Sequence, residues 1–433
     1  MRVLSADWVL PVAAPPIADG AVAIDGGRIA AVGTREELGE GEHFADAAIL
    51  PGFVNAHAHL EYAVYAGFGD GLDFDRWLIV HMERKARLDE GGPLAIARLG
   101  AAESLRSGIT TVADASFSGA SAPACDELGL RAIVHLEVFG RDPDAIAERF
   151  EPMRAAIADS LSDRVRLGVS PHAPYTVSAE LYRACLELGL PVTTHLAESE
   201  AEDEWLRFGT GSWVEHAALL VEPPGESGIR ALARNGLLDR RIVAAHCVRV
   251  DEEEIELLAR HDVAVAHCPR SNALLGCGIA PLQALLAAGI RVGLGTDSPA
   301  STPSFDMFEE LRAAILLARA SERRPDALSA NNALELATLG AASALDLDDE
   351  VGSLTPGKRA DLAVVSLAGS SYLPWEDPAA AVVFGGTPER VELTLVDGED
   401  RYRKGGMEWQ RLRRDARSER RRLLSAPPQA QKT

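Results

Sequence analysis

The sequence predicts a (β/α)₈ TIM barrel joined to a small β-sandwich domain that is built from both ends of the chain. Two observations indicate this α/β fold class. The middle of the chain contains eight apolar, strand-like runs, most of them followed by a helical segment. Alternating strands and helices favour a buried parallel sheet, and eight such units over about 290 residues favour a closed barrel. Short strands separated by glycine turns occur before and after this middle part, so the two chain ends can meet in one β domain.

The β-sandwich is predicted from short strands at the two ends of the chain. Near the start, the turn Asp25-Gly-Gly27 separates two apolar stretches and indicates a hairpin. Near the end, residues 360–365 and 391–396 have the same short, apolar character. The predicted boundaries are residues 1–50 with 350–405 for the β-sandwich, 51–349 for the barrel, and 406–433 for a C-terminal helix followed by a disordered tail.

Length, composition and charge restrict the class of protein. The 433 residues are 47% hydrophobic and 25% charged, as in soluble globular proteins, and they exceed what one core usually spans. No apolar run has the length of a membrane span, and the N-terminus lacks the pattern of a secretion signal. The five cysteines form an odd set without metal-finger spacing. Together these features predict a cytoplasmic protein.

The net charge of −22 argues against polyanionic partners, so neither nucleic acid nor an anionic membrane is expected to bind. Basic residues cluster only near the C-terminus, at residues 411–422. We interpret this cluster as the solvated face of a helix rather than as a binding patch.

The ends of the predicted barrel strands carry the residues that suit a metal site. In barrels of this kind the active site lies at the C-terminal ends of the strands. His57 and His59 are two residues apart on the first strand, so their imidazoles share a face. When the barrel closes, its first and eighth strands become neighbours, and the fifth strand lies opposite them across the mouth. The eight runs end near His59, Ser116, Phe139, His172, His195, Cys247, Pro269 and Asp297.

Three imidazoles and one carboxylate can therefore converge on a single cation. This donor set suits Zn²⁺, with Fe²⁺ as the alternative, and leaves a coordination position open for water. The expected ligands are His57, His59, His195 and Asp297. Paired metals in this geometry often need a bridging carboxylate, frequently a carbamylated lysine. None of the four lysines lies in the second to eighth strands, so one metal ion is favoured over two.

A coincidental cluster of core histidines is the alternative explanation. With 11 histidines in the chain, a His-x-His pair arises by chance in about one sequence in four, so the pair alone is weak evidence. A lone histidine at a strand end is also more often a core residue than a ligand. Six polar groups at the same end of eight strands are much harder to explain in this way, which favours the metal site.

The sequence resembles the amidohydrolase superfamily, and within it the cytosine deaminase and chlorohydrolase-like subgroup. The resemblance covers nearly the whole chain and is carried by Pro51-Gly-Phe-Val-Asn-Ala-His-Ala-His59, His195-Leu-Ala-Glu-Ser199, His246-Cys247 and Gly295-Thr-Asp-Ser298. It implies the four metal ligands named above, catalytic roles for Glu198 and His246, and substrate contact by His172. The subgroup often forms dimers, and this chain is compatible with a homodimer.

The chemistry expected of these residues agrees with the resemblance. A divalent metal lowers the pKa of its bound water toward neutrality. Asp297 can act both as a ligand and as the acceptor of the water proton, and His246 can hold the attacking oxygen by a hydrogen bond. Glu198 can pass a proton to a ring nitrogen and then to the leaving amine. A plain surface glutamate is the alternative for Glu198, because Glu200, Glu202 and Glu204 follow it.

Further residues are predicted from position alone. Trp77 could stack on a flat heterocycle from the long connection after the first strand, or it could anchor a helix start. The other expected substrate contacts are Glu61, Arg270, Ser271 and Asn272. Glu137 and Arg141 lie where a polar substrate tail could reach. Histidines placed outside the site are His43, His81, His216 and His261 as structural residues, and His135 and His267 as core or supporting residues.

The leading hypothesis is a hydrolytic deaminase that releases ammonia from an amino-substituted nitrogen heterocycle. The segments Cys268–Gly276 and Gly295–Ser301 look most like the aminodeoxyfutalosine deaminase branch, which implies an adenine-type nucleoside as the small-molecule substrate. A chlorohydrolase or cyclic-amide hydrolase is the enzymatic alternative, since leaving-group choice depends on pocket shape. A non-catalytic binding or assembly protein on the same barrel is the alternative of another class.

Overall fold

The computed structural model describes residues 1–89, 91–406 and 408–425, so the expected disordered tail at 426–433 lies outside the described residues. The strands are β1 Arg2–Val9, β2 Ile17–Asp25, β3 Arg28–Thr34, β4 Glu42–Pro51, β5 Phe53–Ala58, β6 Ile109–Ser116, β7 Arg131–Val138, β8 Val165–Pro171, β9 Val192–Leu196, β10 Ile242–His246, β11 Ala264–His267, β12 Val292–Leu294, β13 Leu362–Ser366, β14 Val391–Val396 and β15 Glu399–Arg403.

Most of the α-helices surround the barrel, one lies over its mouth, and the last lies near the C-terminus. They are α1 Arg35–Leu38, α2 Phe74–Lys85, α3 Gly92–Arg106, α4 Ser121–Leu128, α5 Glu151–Ala156, α6 Ala179–Glu187, α7 Glu200–Phe208, α8 Gly228–Arg234, α9 Glu252–Arg260, α10 Pro269–Leu274, α11 Leu282–Ala287, α12 Met307–Glu322, α13 Ala330–Leu336, α14 Leu339–Ala344, α15 Pro378–Gly385 and α16 Trp409–Leu424. Among the described residues no helix has both the length and the apolar character needed to span a bilayer.

Strands β5 to β12 form the predicted barrel. They pair in chain order, and every neighbouring pair is parallel. The first and last strands meet where a parallel bridge joins Ala58 to Asp297 and the Asp297 amide donates to the His57 carbonyl at 3.0 Å. This closure brings the end of the eighth barrel strand beside the two histidines of the first strand, as the sequence predicts.

The remaining strands form a second sheet from both chain ends, in the order β15-β14-β13-β4-β1-β2-β3. Strand β4 contributes side chains to two hydrophobic cores, one in the small domain and one next to the barrel, because alternate side chains point to opposite faces. Ala47 and Ile49 pack inside the small domain, whereas Ala48 and Leu50 pack against the barrel. The fold class of a TIM barrel with a β-sandwich domain is therefore confirmed.

The connection after β5 forms a layer above the barrel mouth. A short 3₁₀ turn at Leu60–Tyr62 leads to helix α2, and helix α16 packs beside this connection. Arg420 of α16 donates to the carbonyls of Val64 and Ala66, and its guanidinium lies 4.5 Å from the Phe68 ring centroid. The interpretation of the basic cluster as only a solvated face was therefore wrong for this side chain.

Candidate metal centre and active site

The four predicted ligands meet at the C-terminal mouth of the barrel. Oδ1 of Asp297 lies 3.7 Å from Nε2 of His57 and 3.5 Å from Nε2 of His59. Nε2 of His59 lies 3.2 Å from Nε2 of His195. All four side chains are buried. Side chains from β5, β9 and the end of β12 thus surround one small space, which is the arrangement that the order of the barrel strands predicts.

The orientation of the imidazoles shows that this space suits a cation. Nδ1 of His59 donates to the Ala115 carbonyl at 3.0 Å, and Nδ1 of His195 donates to the His172 carbonyl at 2.9 Å. Because burial lowers the pKa of both imidazoles, each ring is neutral and its Nε2 carries a lone pair. Two lone pairs that face each other repel unless a positive charge lies between them. Both ring nitrogens of His57 are buried without a hydrogen-bond partner among the described residues. The residues therefore fit a divalent metal ion.

Asp297 is held as an ionised carboxylate. Its Oδ2 accepts hydrogen bonds from the hydroxyls of Ser271 and Ser301, both at 2.6 Å, which leaves Oδ1 for the histidine cluster. Burial favours the neutral acid, but hydrogen bonds from the two serine hydroxyls favour the carboxylate, and the pKa of Asp297 lies below its usual value. Its backbone φ of +54° turns the side chain into the barrel mouth at the end of β12.

His246 and Glu198 stand side by side next to this cluster. Nδ1 of His246 donates to Oδ1 of Asn272 at 2.9 Å, and its Nε2 lies 3.6 Å from a carboxylate oxygen of Glu198. Burial lowers the pKa of His246 to about 4, so the ring is neutral and Nε2 is an acceptor. Burial, with the nearby Asp297 and Glu202, raises the pKa of Glu198 well above its usual value. A protonated carboxyl group at this position can donate a proton to a bound molecule.

Glu202 supports Glu198 in a way that the sequence analysis missed. It was treated as one of several surface glutamates, but its carboxylate is buried and accepts hydrogen bonds from the amides of Ala197 and Glu198, at 2.9 and 2.8 Å. Ser199 caps helix α7 by accepting from the Glu202 amide at 3.1 Å. The pattern Ser-x-x-Glu at a helix start was the available signal, because this spacing is typical of reciprocal capping.

A cavity of about 610 Å³ opens above the cluster and is lined by His59, His195, Glu198, His246 and Asp297. His172 and Trp77 also line it. Nδ1 of His172 donates to the Thr176 hydroxyl at 2.8 Å, while Nε1 of Trp77 donates to the Ala300 carbonyl at 3.1 Å. Both expected substrate contacts therefore face the space where a substrate would bind.

Arg270, Ser271 and Asn272 do not line this cavity in the described structure, in contrast to the expectation. Ser271 and Asn272 reach inward but hold Asp297 and His246, as described above. Arg270 turns away and forms ion pairs with Glu309 and Glu310 of α12. Because these residues begin α10, only part of the first turn can face the barrel axis.

Glu61 also has a place other than the expected substrate contact. Its carboxylate accepts five hydrogen bonds from the turn after β6, and it does not line the described cavity. The donors include the amides of Phe117, Ser118 and Ala120, so Glu61 caps the start of α4 and ties the segment after His59 to the next strand.

His81 was expected away from the mouth, and this was wrong. It is buried in α2, lines the cavity, and lies 4.6 Å from the Trp77 ring, centroid to centroid. Helix α2 folds back over the barrel mouth, which the helical pattern alone does not show. His135 and His267 are buried in β7 and β11, as expected of core or supporting residues.

The profile of the amidohydrolase family matches residues 48–400. The chain belongs to this family. A profile of an imidazolonepropionase-like composite domain from bacteria also matches residues 20–40, within the β-sandwich strands. The family match spans both the barrel and the return of the chain into the small domain.

Two curated relatives cover most of the chain. The 5'-deoxyadenosine deaminase of Methanothermobacter thermautotrophicus is 34% identical over 400 residues, which is 90% of each chain. The 5-methylthioadenosine/S-adenosylhomocysteine deaminase of Nitratidesulfovibrio vulgaris is 36% identical over 406 residues, covering 90% of this chain and 88% of the relative. These matches confirm the expected enzyme class, a hydrolase acting on carbon–nitrogen bonds other than peptide bonds.

Solved structures show the same architecture. An adenosine deaminase from Xanthomonas campestris with bound zinc has a TM-score of 0.87 at 29% identity, covering 98% of this chain and 99% of its own. Atrazine chlorohydrolase from Arthrobacter aurescens, complexed with zinc, has a TM-score of 0.83 at 24% identity, covering 97% of this chain and 100% of its own. The second likeness establishes the fold alone.

Proposed function

We propose that this protein is a zinc-dependent deaminase of adenine nucleosides, which replaces the amino group of the base with oxygen from water and releases ammonia. One observation carries the proposal. The facing Nε2 lone pairs of His59 and His195 meet His57 and Asp297 at one point, and a buried, protonated Glu198 lies beside them. The names of the curated relatives support the adenine nucleoside, and the zinc in the solved relative supports the metal.

In this proposal His57, His59, His195 and Asp297 hold the metal ion. A divalent metal bound there would make hydroxide available near neutral pH by lowering the pKa of a coordinated water. Asp297 accepts the proton of the attacking water, because its carboxylate is ionised and fixed by two hydroxyls. The acceptor Nε2 of His246 takes a hydrogen bond from that water and orients it toward the base.

Glu198 carries the proton transfer on the substrate side. Its carboxyl group is protonated at neutral pH, so it donates to a ring nitrogen and makes the neighbouring carbon electrophilic. After the water oxygen has added to that carbon, the Glu198 carboxylate takes the remaining proton of that oxygen and passes it to the amino group, which leaves as ammonia while the carbonyl forms. The proton held by Asp297 then returns to Glu198 and restores its acid form. Both transfers occur within the same small volume, which requires the fixed backbone that Glu202 supplies.

The proposal is tested by assaying ammonia release from a panel of adenine nucleosides with zinc-loaded enzyme. The panel contains adenosine, 5′-deoxyadenosine, 5′-methylthioadenosine, S-adenosylhomocysteine and aminodeoxyfutalosine, the last being the finer expectation from the sequence. We expect turnover of at least one member and loss of turnover after exhaustive chelation. Absence of ammonia from every member, with stoichiometric metal bound, would reject the proposal, and chloride release from a chlorinated heterocycle would favour the alternative hydrolase.

A further inference from the structure

The turn that follows β5 is joined to the neighbouring strand β6 at successive residues. Nδ1 of His59 donates to the Ala115 carbonyl at 3.0 Å, and the Leu60 amide donates to Oδ1 of Asp114 at 2.6 Å. Glu61 comes next and accepts its hydrogen bonds from the end of the same strand and the turn after it. A candidate metal ligand is therefore the first residue of a segment that β6 holds along its length.

Asp114 is an acidic residue in otherwise apolar surroundings. It lies in β6 and is fully buried, on the strand face where Val112 packs in the hydrophobic core outside the barrel. Among the described residues only the Leu60 amide donates a hydrogen bond to its carboxyl group, and Oδ2 is buried there without a partner. Burying a polar group without full compensation is destabilising. An acid at this position therefore indicates a role in the one contact it makes, which is with the turn after β5.

Helix α3 packs against the same residue from the side of its carbonyl group. At Gly100 the helix comes so close that a Cβ atom would lie 2.7 Å from the Leu60 carbonyl oxygen and 3.1 Å from its Cα. Only glycine fits such a contact without displacing the turn, although glycine in a helix costs about 0.5–1 kcal/mol relative to alanine. Leu60, which is fully buried, is thus held between Asp114 on one side and α3 on the other.

His59 needs this restraint because of where its ring lies. Its Nε2 is 3.2 Å from Nε2 of His195, and the lone pairs of the two neutral rings face each other. This arrangement is repulsive until a cation lies between the rings, so a loosely held His59 would turn away. The Ala115 carbonyl orients the ring itself, and the Leu60 amide fixes the backbone immediately beyond it. A ligand held in this way is preorganised for the metal ion.

We propose that Asp114 is a positioning residue of the metal site, which acts through the Leu60 amide to keep the His59 ring facing the cation position before the cation binds. Gly100 supports the same arrangement by allowing α3 to pack against Leu60. The inference rests on the metal site of the proposed function and goes beyond it, since Asp114 makes no hydrogen bond to a ligand side chain among the described residues.

The Leu60 amide requires an acceptor atom rather than a negative charge. Burial, together with the nearby Glu61, raises the pKa of Asp114 to about 8, so its carboxyl group is neutral near pH 7. An asparagine side chain offers the same carbonyl oxygen. Asp114→Asn should therefore keep the contact, whereas a valine, which suits a buried strand, offers no acceptor. These two variants form a matched pair.

The first test is zinc affinity, measured by competition with a chromophoric chelator. We expect Asp114→Val to bind zinc about 10- to 100-fold more weakly than the wild type, and Asp114→Asn to bind it as the wild type does. Gly100→Ala should also bind zinc more weakly, because its Cβ displaces Leu60 even though alanine favours the helix. Thr111→Val is the control on the same strand, since the Thr111 hydroxyl is buried without a partner among the described residues. It should leave zinc affinity unchanged.

Thermal unfolding with and without zinc separates this role from a purely structural one. The increase in Tm that zinc produces depends on zinc affinity, so it should shrink in Asp114→Val. A residue that only stabilises the fold would lower the Tm of the metal-free and the zinc-loaded protein equally. Arg131→Met, which breaks the buried ion pair with Asp361 at the start of β7, is the destabilised control. It should keep the full zinc-dependent increase.

An unchanged zinc affinity in Asp114→Val, with equal losses of Tm in both states, would overturn the proposal. A loss in Asp114→Asn as large as that in Asp114→Val would also overturn it. If Asp114→Val does not fold, Gly100→Ala decides by the same measurements, and an unchanged affinity there counts against the proposal. Failure of the proposed function is distinct, because the wild type would then bind zinc without releasing ammonia from any adenine nucleoside, and the zinc affinities would still test Asp114. A wild type that binds no zinc would overturn both.

Discussion

In the proposed reaction Glu198 supplies a proton to the substrate, so replacing its carboxyl group is the most direct test of that chemistry. Replacing it with glutamine keeps the shape but removes the transferable proton. We expect Glu198→Gln to retain its metal and to lose about 10²- to 10⁴-fold in kcat, the usual range for a general acid. Steady-state kinetics with metal analysis measures both quantities. Glu200→Gln, an exposed neighbour, should behave as the wild type, and an active Glu198→Gln enzyme would refute the assignment.

In the proposed metal site, Ser271 and Ser301 support the ion through Asp297. Each hydroxyl donates to the same carboxylate oxygen, so removing both leaves the ligand free to rotate and less well fixed as an anion. We expect the double variant Ser271→Ala with Ser301→Ala to bind zinc about 10- to 100-fold more weakly. Competition with a chromophoric chelator measures this affinity.

The control for this prediction is Ser212→Ala, at an exposed serine that does not line the described cavity. It should bind zinc as the wild type does. An unchanged zinc affinity in the double variant would show that the two hydroxyls do not support the ligand.

The residues at strand ends were predictable because barrel closure brings all such ends to one mouth. His57, His195 and Asp297 needed only that rule. The supporting contacts of Asn272 and Glu202 were not predictable in the same way, since they depend on how a helix start turns relative to the barrel axis. Position in the chain places a residue near the site, but only the local backbone decides whether it faces substrate or another side chain.

At the scale of elements, helix α16 stabilises the connection that covers the cavity. Arg420 contacts two carbonyls and the Phe68 ring, and Arg84 and Arg87 of the covering segment donate in return to the Leu423 carbonyl at 3.0 and 2.9 Å. Helix α2 supplies Trp77 and Lys85 to the cavity. The C-terminal helix therefore acts on the site through this covering layer.

Arg420→Met should loosen the covering layer, because it keeps the apolar stem but loses two charged hydrogen bonds, which contribute about 1.5–3 kcal/mol each. We expect faster amide hydrogen exchange in residues 74–85 and a raised KM, with kcat less affected. Hydrogen-exchange mass spectrometry and steady-state kinetics measure these effects. Arg417→Met, exposed on the same helix, is the control, and identical exchange in the two variants would contradict the proposed contact.

The existence of the elements was predictable, but their mutual placement was less so. Helices Gly92–Arg106 and Glu252–Arg260 are defined locally, both by their apolar spacing and the second also by its Asp251 cap. The folding of α2 over the mouth, which brings His81 and Lys85 to the cavity, depends on packing against α16 and could not be read from either segment. The domain boundaries remain predictions.

At the scale of the whole molecule, the barrel and the small domain are joined at the end opposite to the active site. Arg131, the first residue of β7, donates to both carboxylate oxygens of Asp361 at 2.8 and 3.2 Å and to Asp397 at 2.7 Å. The Asp397 amide also donates to Asp361 at 2.8 Å. Arg131 and Asp361 are each 3% exposed, so the network is buried between the two sheets. Glu137 lies at the other end of the same strand, which separates this junction from the chemistry.

Arg131→Met should therefore destabilise the protein without altering the site. Removing one partner of a buried ion pair costs about 3–5 kcal/mol, because the remaining carboxylate is left buried and unpaired. We expect a lower unfolding midpoint in urea with kcat and zinc content unchanged below the transition. Arg131→Met with Asp361→Leu should recover part of the loss, since the uncompensated charge is then gone. Arg324→Met, which breaks an exposed pair with Asp326, is the control and should leave the unfolding midpoint nearly unchanged. If Arg131→Met were as stable as this control, the buried network would not hold the two domains together.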